Sequence, residues 1–378
     1  MKIVYVVPLL APYAIPRYQE LSKIEDTEVH VIVEQNTNQE RTGWAFQSID
    51  GVHMHLLNSK IVKNIKQKNR RDNYAISNTR LYSFGLRKLI FQIAPDIVLV
   101  CNSTQIMMLY GKRHYKLGVV VEDTIRASES RSLLKKIIKK YMLKRADFYL
   151  PFTKDANNFL KYNKISGLYI KSSWSMDTEF FEDLLVEERL KKRIEYGMGE
   201  QTSYILVANL IPRKGIQQFL QGWIAMPRKF HEKSKLFILG DGELKADLSE
   251  QILQDNITNV FLMGNKNYQE VSHYLQCGDV FVLPTLEDLC SLSVLEAMAS
   301  RKPVLTTIYN GAREFVKEGV NGFIFDPLDK TSIIAALKKI ELADLKKMSE
   351  ASYKIVKEYS NKRVMKELRK NLNMVFQK

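Results

Sequence analysis

Cysteine is nearly absent: Cys101, Cys277 and Cys290 are the only three in 378 residues, odd in number and widely spaced. That excludes a disulfide framework and a cysteine-rich metal site, and it fits a reducing cytosol. Long apolar runs are missing as well. No stretch approaches the roughly 18 apolar residues that cross a bilayer. The start, Met1 to Leu10, is cut by Pro8 and has no signal-peptide cleavage region. The expected location is therefore the cytoplasm, or the inner face of the cell membrane without crossing it. Acidic side chains are outnumbered, 42 against 57 basic, for a formal charge of +15. Such an excess attracts nucleic acid, anionic lipid or phosphorylated small molecules. Heptads, low-complexity tracts and internal repeats are lacking, which excludes coiled coils and solenoids. RNP, helix-turn-helix and zinc-knuckle signatures are lacking too, and aromatics do not interleave with the basic runs, so no nucleic-acid partner is expected.

What is present is a steady alternation of short β-rich runs and helical stretches. Ile3 to Val7, Val29 to Val33, Asp96 to Val100, Gly118 to Val121 and Asp147 to Leu150 read as strands, with helices expected over Arg80 to Ile93 and Arg131 to Lys144. After the charged stretch Glu187 to Glu200 the pattern restarts. Tyr204 to Ala208, Lys235 to Leu239, Asn259 to Met263, Val280 to Leu283, Val304 to Thr306 and Gly322 to Phe325 are its strands. Two successive βαβ series predict an α/β protein of two Rossmann-like, helix-covered parallel-sheet domains.

The densest chemistry lies in Pro284 to Ala299. An apolar strand ends in a loop carrying Glu287 and Asp288, and a helix with Glu296 in its first turns opens behind Ser291 to Ser293. Strand carboxyl ends place ligands in α/β sheets, and unpaired N–H groups at a helix start favour an anion such as pyrophosphate. Carboxylates beside an anion site suit sugar or ribose hydroxyls. Ser293-Val294-Leu295-Glu296 equally fits a capping box in which Glu296 only satisfies a backbone donor.

Over a longer span the segment resembles the acid-x7-acid signature of family 4 retaining glycosyltransferases: Asp288, seven residues, Glu296, then Ala297-Met298-Ala299. The family usually has Glu where Asp288 stands; Glu287 sits one place early. Tyr204 to Gly215 is similar to the family's strand–loop motif, in which an Arg and a Lys five residues apart hold the donor diphosphate. Lys214 matches the Lys, while the Arg position is the uncharged Asn209; Arg213 is a neighbouring cation outside the motif. Gly240-Asp241-Gly242-Glu243 resembles the glycine loop near the nucleotide. Met263-Gly264-Asn265 resembles the loop that meets the base through its backbone. Asn310 to Glu314 and Glu318 to Gly322 resemble the loop and turn that follow. Where the family usually has Gly after the signature helix, this chain has Arg301, so either Arg301 takes a left-handed φ or the helix ends differently.

The first half resembles the family more loosely. Pro8 to Arg17 is similar to its acceptor-facing loop, with prolines in place of glycines; Tyr13 and Arg17 are the acceptor-side candidates, although Arg17 also fits a surface role. Glu122-Asp123-Thr124 stands where many members present a His. Asp123 is the candidate polar group at the reacting centre, or else a helix cap. Trp174 to Asp177 resembles the hinge entry into the second domain.

Arg131 to Arg145 contains no acid, and Leu133, Leu134, Ile137, Ile138 and Tyr141 recur at helical spacing. Such a helix lies in an anionic interface, or it packs its apolar stripe inward and solvates its lysines. Lys60, Lys63, Lys66, Lys68, Arg70 and Arg71 form a second acid-free cluster in the same half.

The resemblance implies the GT-B fold: residues 1–175 as an acceptor domain, 176–358 as a nucleotide-sugar domain, a terminal helix 359–378 packing back on the first, and a cleft between. It implies retaining, metal-independent transfer of a hexose-type sugar from a UDP- or GDP-sugar, a substrate rather than a resident cofactor, to a glycan or lipid-linked acceptor of polysaccharide synthesis. Lys214, Asp288 and Asp123 are the catalytic candidates. Asn209, Arg213, Gly240, Gly264, Cys290, Ser291, Leu292 and Glu296 are the donor-binding ones, and an anionic membrane surface is a further partner. An epimerase on the same fold and a non-catalytic sugar-nucleotide or membrane-binding protein remain as alternatives.

Overall fold

A computed structural model describes residues 1–36, 45–57, 59–68, 75–129, 131–182 and 184–377. The chain divides into two compact units. Unit 1 is Met1–Ser175 joined by a terminal segment from Asn361; unit 2 is Met176–Ser360.

Unit 1 is built on strands β1 (Lys2–Val7), β2 (Glu28–Val33), β3 (His53–Leu56), β6 (Ile97–Val100), β7 (Lys116–Val121), β8 (Phe148–Pro151) and β9 (Leu168–Tyr169). They form one all-parallel sheet in the order β3-β2-β1-β6-β7-β8-β9. The strands are almost unbroken apolar runs because helices cover both faces; Val31 to Val33 and Ile97 to Val100 are essentially without exposure. The terminal helix Asn361–Leu372 lies on the helix Ile15–Ser22, with Arg369 Nε donating to Thr27 Oγ1 at 2.9 Å and Lys171 paired to Glu367 at 2.8 Å.

One sequence expectation fails here. Arg80 to Tyr82 are not helical but close strand β5 (Ala75–Tyr82), which pairs antiparallel with β4 (Lys60–Lys68). The pairing recruits these residues, and Gly85, at φ 84°, sets the helix start at Leu86 instead. The basic cluster from Lys60 to Lys68 thus forms one strand of a two-stranded ribbon, while Arg70 and Arg71 lie outside the described residues.

Unit 2 has β10 (Thr202–Val207), β11 (Ser234–Leu239), β12 (Val260–Gly264), β13 (Val280–Leu283), β14 (Val304–Thr307) and β15 (Gly322–Phe325), all parallel, in the order β12-β11-β10-β13-β14-β15. Its core joins Tyr204, Leu206, Phe219, Trp223, Val282 and Phe325. The order reverses between β10 and β13, so the carboxyl ends of these two neighbours open a crevice where α/β sheets bind ligands.

The helix Leu292–Ala299 ends on Arg301 at φ 59°. Arg301 N–H bonds to Met298 and Lys302 N–H to Ala297, the double bond pattern of a left-handed cap. A non-glycine there costs about 1–2 kcal/mol. Offsetting contacts come from Glu182, 2.9 Å from the guanidinium, and from the Tyr353 ring, 3.8 Å beneath it.

Candidate functional site

Three loops at the carboxyl ends of β10, β13 and β14 interlock. Leu286 N–H and the Thr285 hydroxyl both donate to the Arg213 carbonyl, at 2.8 and 3.1 Å. The Thr307 hydroxyl donates to the Thr285 carbonyl at 2.7 Å, and Gly311 N–H to the Asp288 carbonyl at 2.9 Å. Fully buried Asn310 spans the seam: its Oδ1 accepts from Ala312 N–H at 3.0 Å and its Nδ2 donates to Thr306 at 2.9 Å. Two glycines permit this closeness. A Cβ on Gly215 would lie 2.1 Å from the Pro284 carbonyl oxygen, and one on Gly311 would lie 1.8 Å from that of Leu289. Gly215 is also left-handed, at φ 65°. Gly215→Ala is therefore expected to push the β10 loop off the β13 loop, lowering the melting temperature and abolishing donor binding together.

The interlock brings Lys214 and Asp288, 74 residues apart in sequence, to a 2.5 Å ion pair, with side chains only 14% and 15% exposed. Arg213 Nη1 stands 3.7 Å from the same carboxylate and donates to the Glu287 carbonyl at 2.6 Å. Burial pushes the Asp288 carboxyl up, but the charges of Lys214 and Arg213 outweigh it and hold it below its ordinary value. Two cations and one fixed carboxylate thus meet at the crevice.

The helix that follows begins at Leu292 with Ser291 as its N-cap, and no side chain caps it. The capping-box alternative for Glu296 is overturned, because the helix starts before Ser293. Glu296 is instead buried, and burial pushes its carboxyl up to about 7 against a hydrogen bond with Tyr268. Cys290 and Leu292 are half-buried and Ser291 is buried, at the loop's turn into the helix. Tyr268, stacked on Phe180 at 4.8 Å, carried no motif in the sequence.

Asn209 is exposed at the end of β10. Its loop is zipped to the β11 loop by Leu210 N–H to Asp241 O and Leu244 N–H to Leu210 O, both 2.9 Å. Gly240 is needed there, since a Cβ would stand 1.9 Å from the Ala208 carbonyl oxygen. Gly264, at φ 69°, closes β12 with open space around it.

The unit 1 candidates fare differently. Arg17 is not a surface residue: it is buried, its guanidinium 5.1 Å from the Phe152 ring centroid and 5.5 Å from that of Trp174. Tyr13 meets Trp174 edge-on at 6.5 Å. Asp123 is buried at the end of β7, held by Arg131 at 3.0 and 2.6 Å and by Lys139. Both of its carboxylate oxygens are thus engaged by cations. It caps no helix; the Thr124 hydroxyl accepts from Ala127 N–H at 3.0 Å. At the sheet edge, Glu28, His30 and His53 bring ligand atoms within 4.8 Å, a grouping with no spacing signal in the sequence. Two of them already have partners: His30 bonds Glu28 at 2.8 Å and His55 at 3.0 Å, and Lys2 lies 3.3 Å from Glu28.

Two parallel-sheet α/β units, one with a cation–carboxylate cluster at its switch point, define a GT-B-type protein. Residues 188–358 match the family model for glycosyl transferases group 1. An uncharacterized glycosyltransferase of Methanocaldococcus jannaschii is 23% identical over 304 residues, covering 76% of each chain. The UDP-Gal:alpha-D-GlcNAc-diphosphoundecaprenol alpha-1,3-galactosyltransferase of Escherichia coli is 29% identical over 168 residues, 44% of this chain and 43% of that one. Among solved structures, sucrose-phosphate synthase from Thermosynechococcus elongatus aligns with a TM-score of 0.77 at 12% identity, over 100% of this chain and 99% of that one. The chain thus has the GT-B fold, and its second unit is similar to the glycosyl transferases group 1 over residues 188–358.

Proposed function

We propose that the crevice at β10 and β13 binds a nucleotide-sugar, UDP- or GDP-linked, and that the chain moves its hexose-type sugar to a glycan or lipid-linked acceptor with retention of configuration and without a metal. The observation that carries this reading is the Lys214–Asp288 pair, set between two strand ends beside an uncapped helix start and a buried Glu296. In the reaction the bond from the anomeric carbon to the diphosphate oxygen breaks, an acceptor oxygen takes its place, and the acceptor hydroxyl's proton passes to the departing diphosphate. Lys214, Arg213, Asn209 and the N–H groups of Cys290, Ser291 and Leu292 stabilise the charge growing on the departing diphosphate. Asp288 holds sugar hydroxyls and favours positive charge on the sugar carbon. Glu296 accepts from ribose hydroxyls, and the backbone around Gly240 and Gly264 borders the nucleotide. Tyr13 and Arg17 stand on the acceptor side. Asp123 acts there as a positioning residue, tying down Arg131 and Lys139.

The name of the Escherichia coli relative pairs a UDP-sugar with a diphosphoundecaprenol acceptor, which supports the same two classes here. A thermal-shift screen against UDP-, GDP-, ADP- and CMP-sugars tests the donor. One UDP- or GDP-sugar is expected to raise the melting temperature, by about 2.7 kcal/mol of stability at a hundredfold excess over its dissociation constant. A flat response to all four classes would remove the nucleotide-sugar assignment.

A further inference from the structure

Helices of soluble proteins turn their apolar stripe inward. The helix Leu133–Leu143 in unit 1 does the reverse. Leu133, Leu134, Ile137, Ile138 and Tyr141 are 48% to 73% exposed, and Leu143 is its only buried residue. The sequence left open a packed stripe with a solvated lysine face; the structure overturns that alternative. The cause lies beneath the helix. Buried Asp123 takes Arg131 and Lys139 from the inner side, and Lys139 also sits 5.6 Å over the Phe159 ring. These anchors roll the charged face against the body and force the apolar face outward. The patch continues past the helix end: the Arg145 guanidinium lies 4.9 Å from the Tyr110 ring and 4.6 Å from that of Tyr141, and Tyr110 and Met107 are exposed beside it.

We infer that this face is a docking surface for an anionic lipid bilayer, into which the apolar stripe inserts in the plane of the headgroups. Charge selects the occupant. With Lys139 taken by Asp123, the helix still carries Lys135, Lys136 and Lys140 with no acid, followed by Lys144 and Arg145, so cations rim an apolar strip. An anionic interface satisfies both parts at once. The helix Val186–Glu195 supplies the contrast. Leu185, Val186, Leu190 and Ile194 are exposed there too, but Glu187, Glu188 and Glu195 alternate with Arg189, Lys191, Lys192 and Arg193, so that helix offers a mixed-charge face instead of an unopposed cationic one. The inference deepens the lipid-linked acceptor reading but does not need it, since membrane binding is measured without donor or turnover.

The test is co-sedimentation of the full chain with phosphatidylcholine vesicles, and with vesicles containing phosphatidylglycerol. The wild type is expected to pellet with the anionic vesicles only and to be released by salt. L134Q/I137Q/I138Q is expected to lose binding while keeping its circular dichroism and donor affinity, and L190Q/I194Q to bind as the wild type does. K135Q/K136Q/K140Q is expected to bind on the order of a hundredfold more weakly. In I137W the added indole is expected to shift its emission to the blue on anionic vesicles alone. Three results would each overturn the inference: wild-type chain that ignores both vesicle types, L134Q/I137Q/I138Q that still binds, or a wild-type dimer dissolved by that variant without lipid binding.

Discussion

Lys214→Ala is expected to reduce transfer at saturating donor by about 10²–10³, the usual loss when one preorganised charge stabiliser is removed. Asp288→Ala should fall at least as far, because it deletes the group placed against the sugar and frees Lys214 to stray. Stability should suffer less than activity. A fully buried pair loses roughly 3–5 kcal/mol when one partner goes. Here both side chains keep some water, and Arg213, 3.7 Å from Asp288, remains as a second cation in Lys214→Ala. The double variant Lys214→Ala/Asp288→Ala should therefore be more stable than the two single losses added together. Turnover near the wild-type rate in either folded single variant would end the transferase assignment. A folded, inactive chain with intact donor affinity would locate the loss in the chemical step.

Between pH 5 and 8 the stability of the ligand-free protein is expected to fall through Glu296. Its carboxyl rises from an ordinary 4.5 to about 7 because burial penalises the charged form. For an acid raised in the folded state, the stabilising contribution is complete below about 4.5 and is lost as pH climbs through 7. At about 1.4 kcal/mol per pH unit over the interval from 4.5 to about 7, the loss is roughly 3–4 kcal/mol, so Glu296→Gln should be the more stable protein at pH 8 and lose that advantage near pH 4.5. Donor binding should run the other way. Ribose hydroxyls donate to the ionised carboxylate, so wild-type affinity rises through pH 7 and binding releases a proton. Calorimetry in buffers of different ionisation enthalpy reads that proton, and Glu296→Gln should show none. A wild-type binding enthalpy independent of buffer would remove Glu296 from the ribose.

The two βα series were legible because strands buried on both faces leave near-continuous apolar runs, as in Val280 to Leu283. The ribbon of β4 and β5 was not. Its lysine-rich first strand and polar second strand carry no apolar alternation, and only their mutual pairing makes Arg80 to Tyr82 extended. In the site, Lys214, Asp288 and Glu296 could be singled out by the resemblance of their motifs to those of family 4 glycosyltransferases. Tyr268 could not, since a lone aromatic on a helix signals only packing. The surface alternative for Arg17 could not be dismissed from sequence because the rings that cover it, Phe152 and Trp174, lie more than a hundred residues away.

Residue order alone determined the alternation of strands and helices, the loops that can face a ligand, and the excess of positive charge, because these depend on local periodicity and composition. Contact across the chain decided everything that depends on distance. It set Lys214 against Asp288 through glycines on which a Cβ would stand only 2.1 and 1.8 Å from a carbonyl oxygen, and it placed Glu296 in a burial that shifts its proton. It also turned the apolar face of Leu133–Leu143 outward by drawing Lys139 onto Asp123. A helical wheel records which side chains share a face; only the partners packed beneath the helix decide which face meets the solvent.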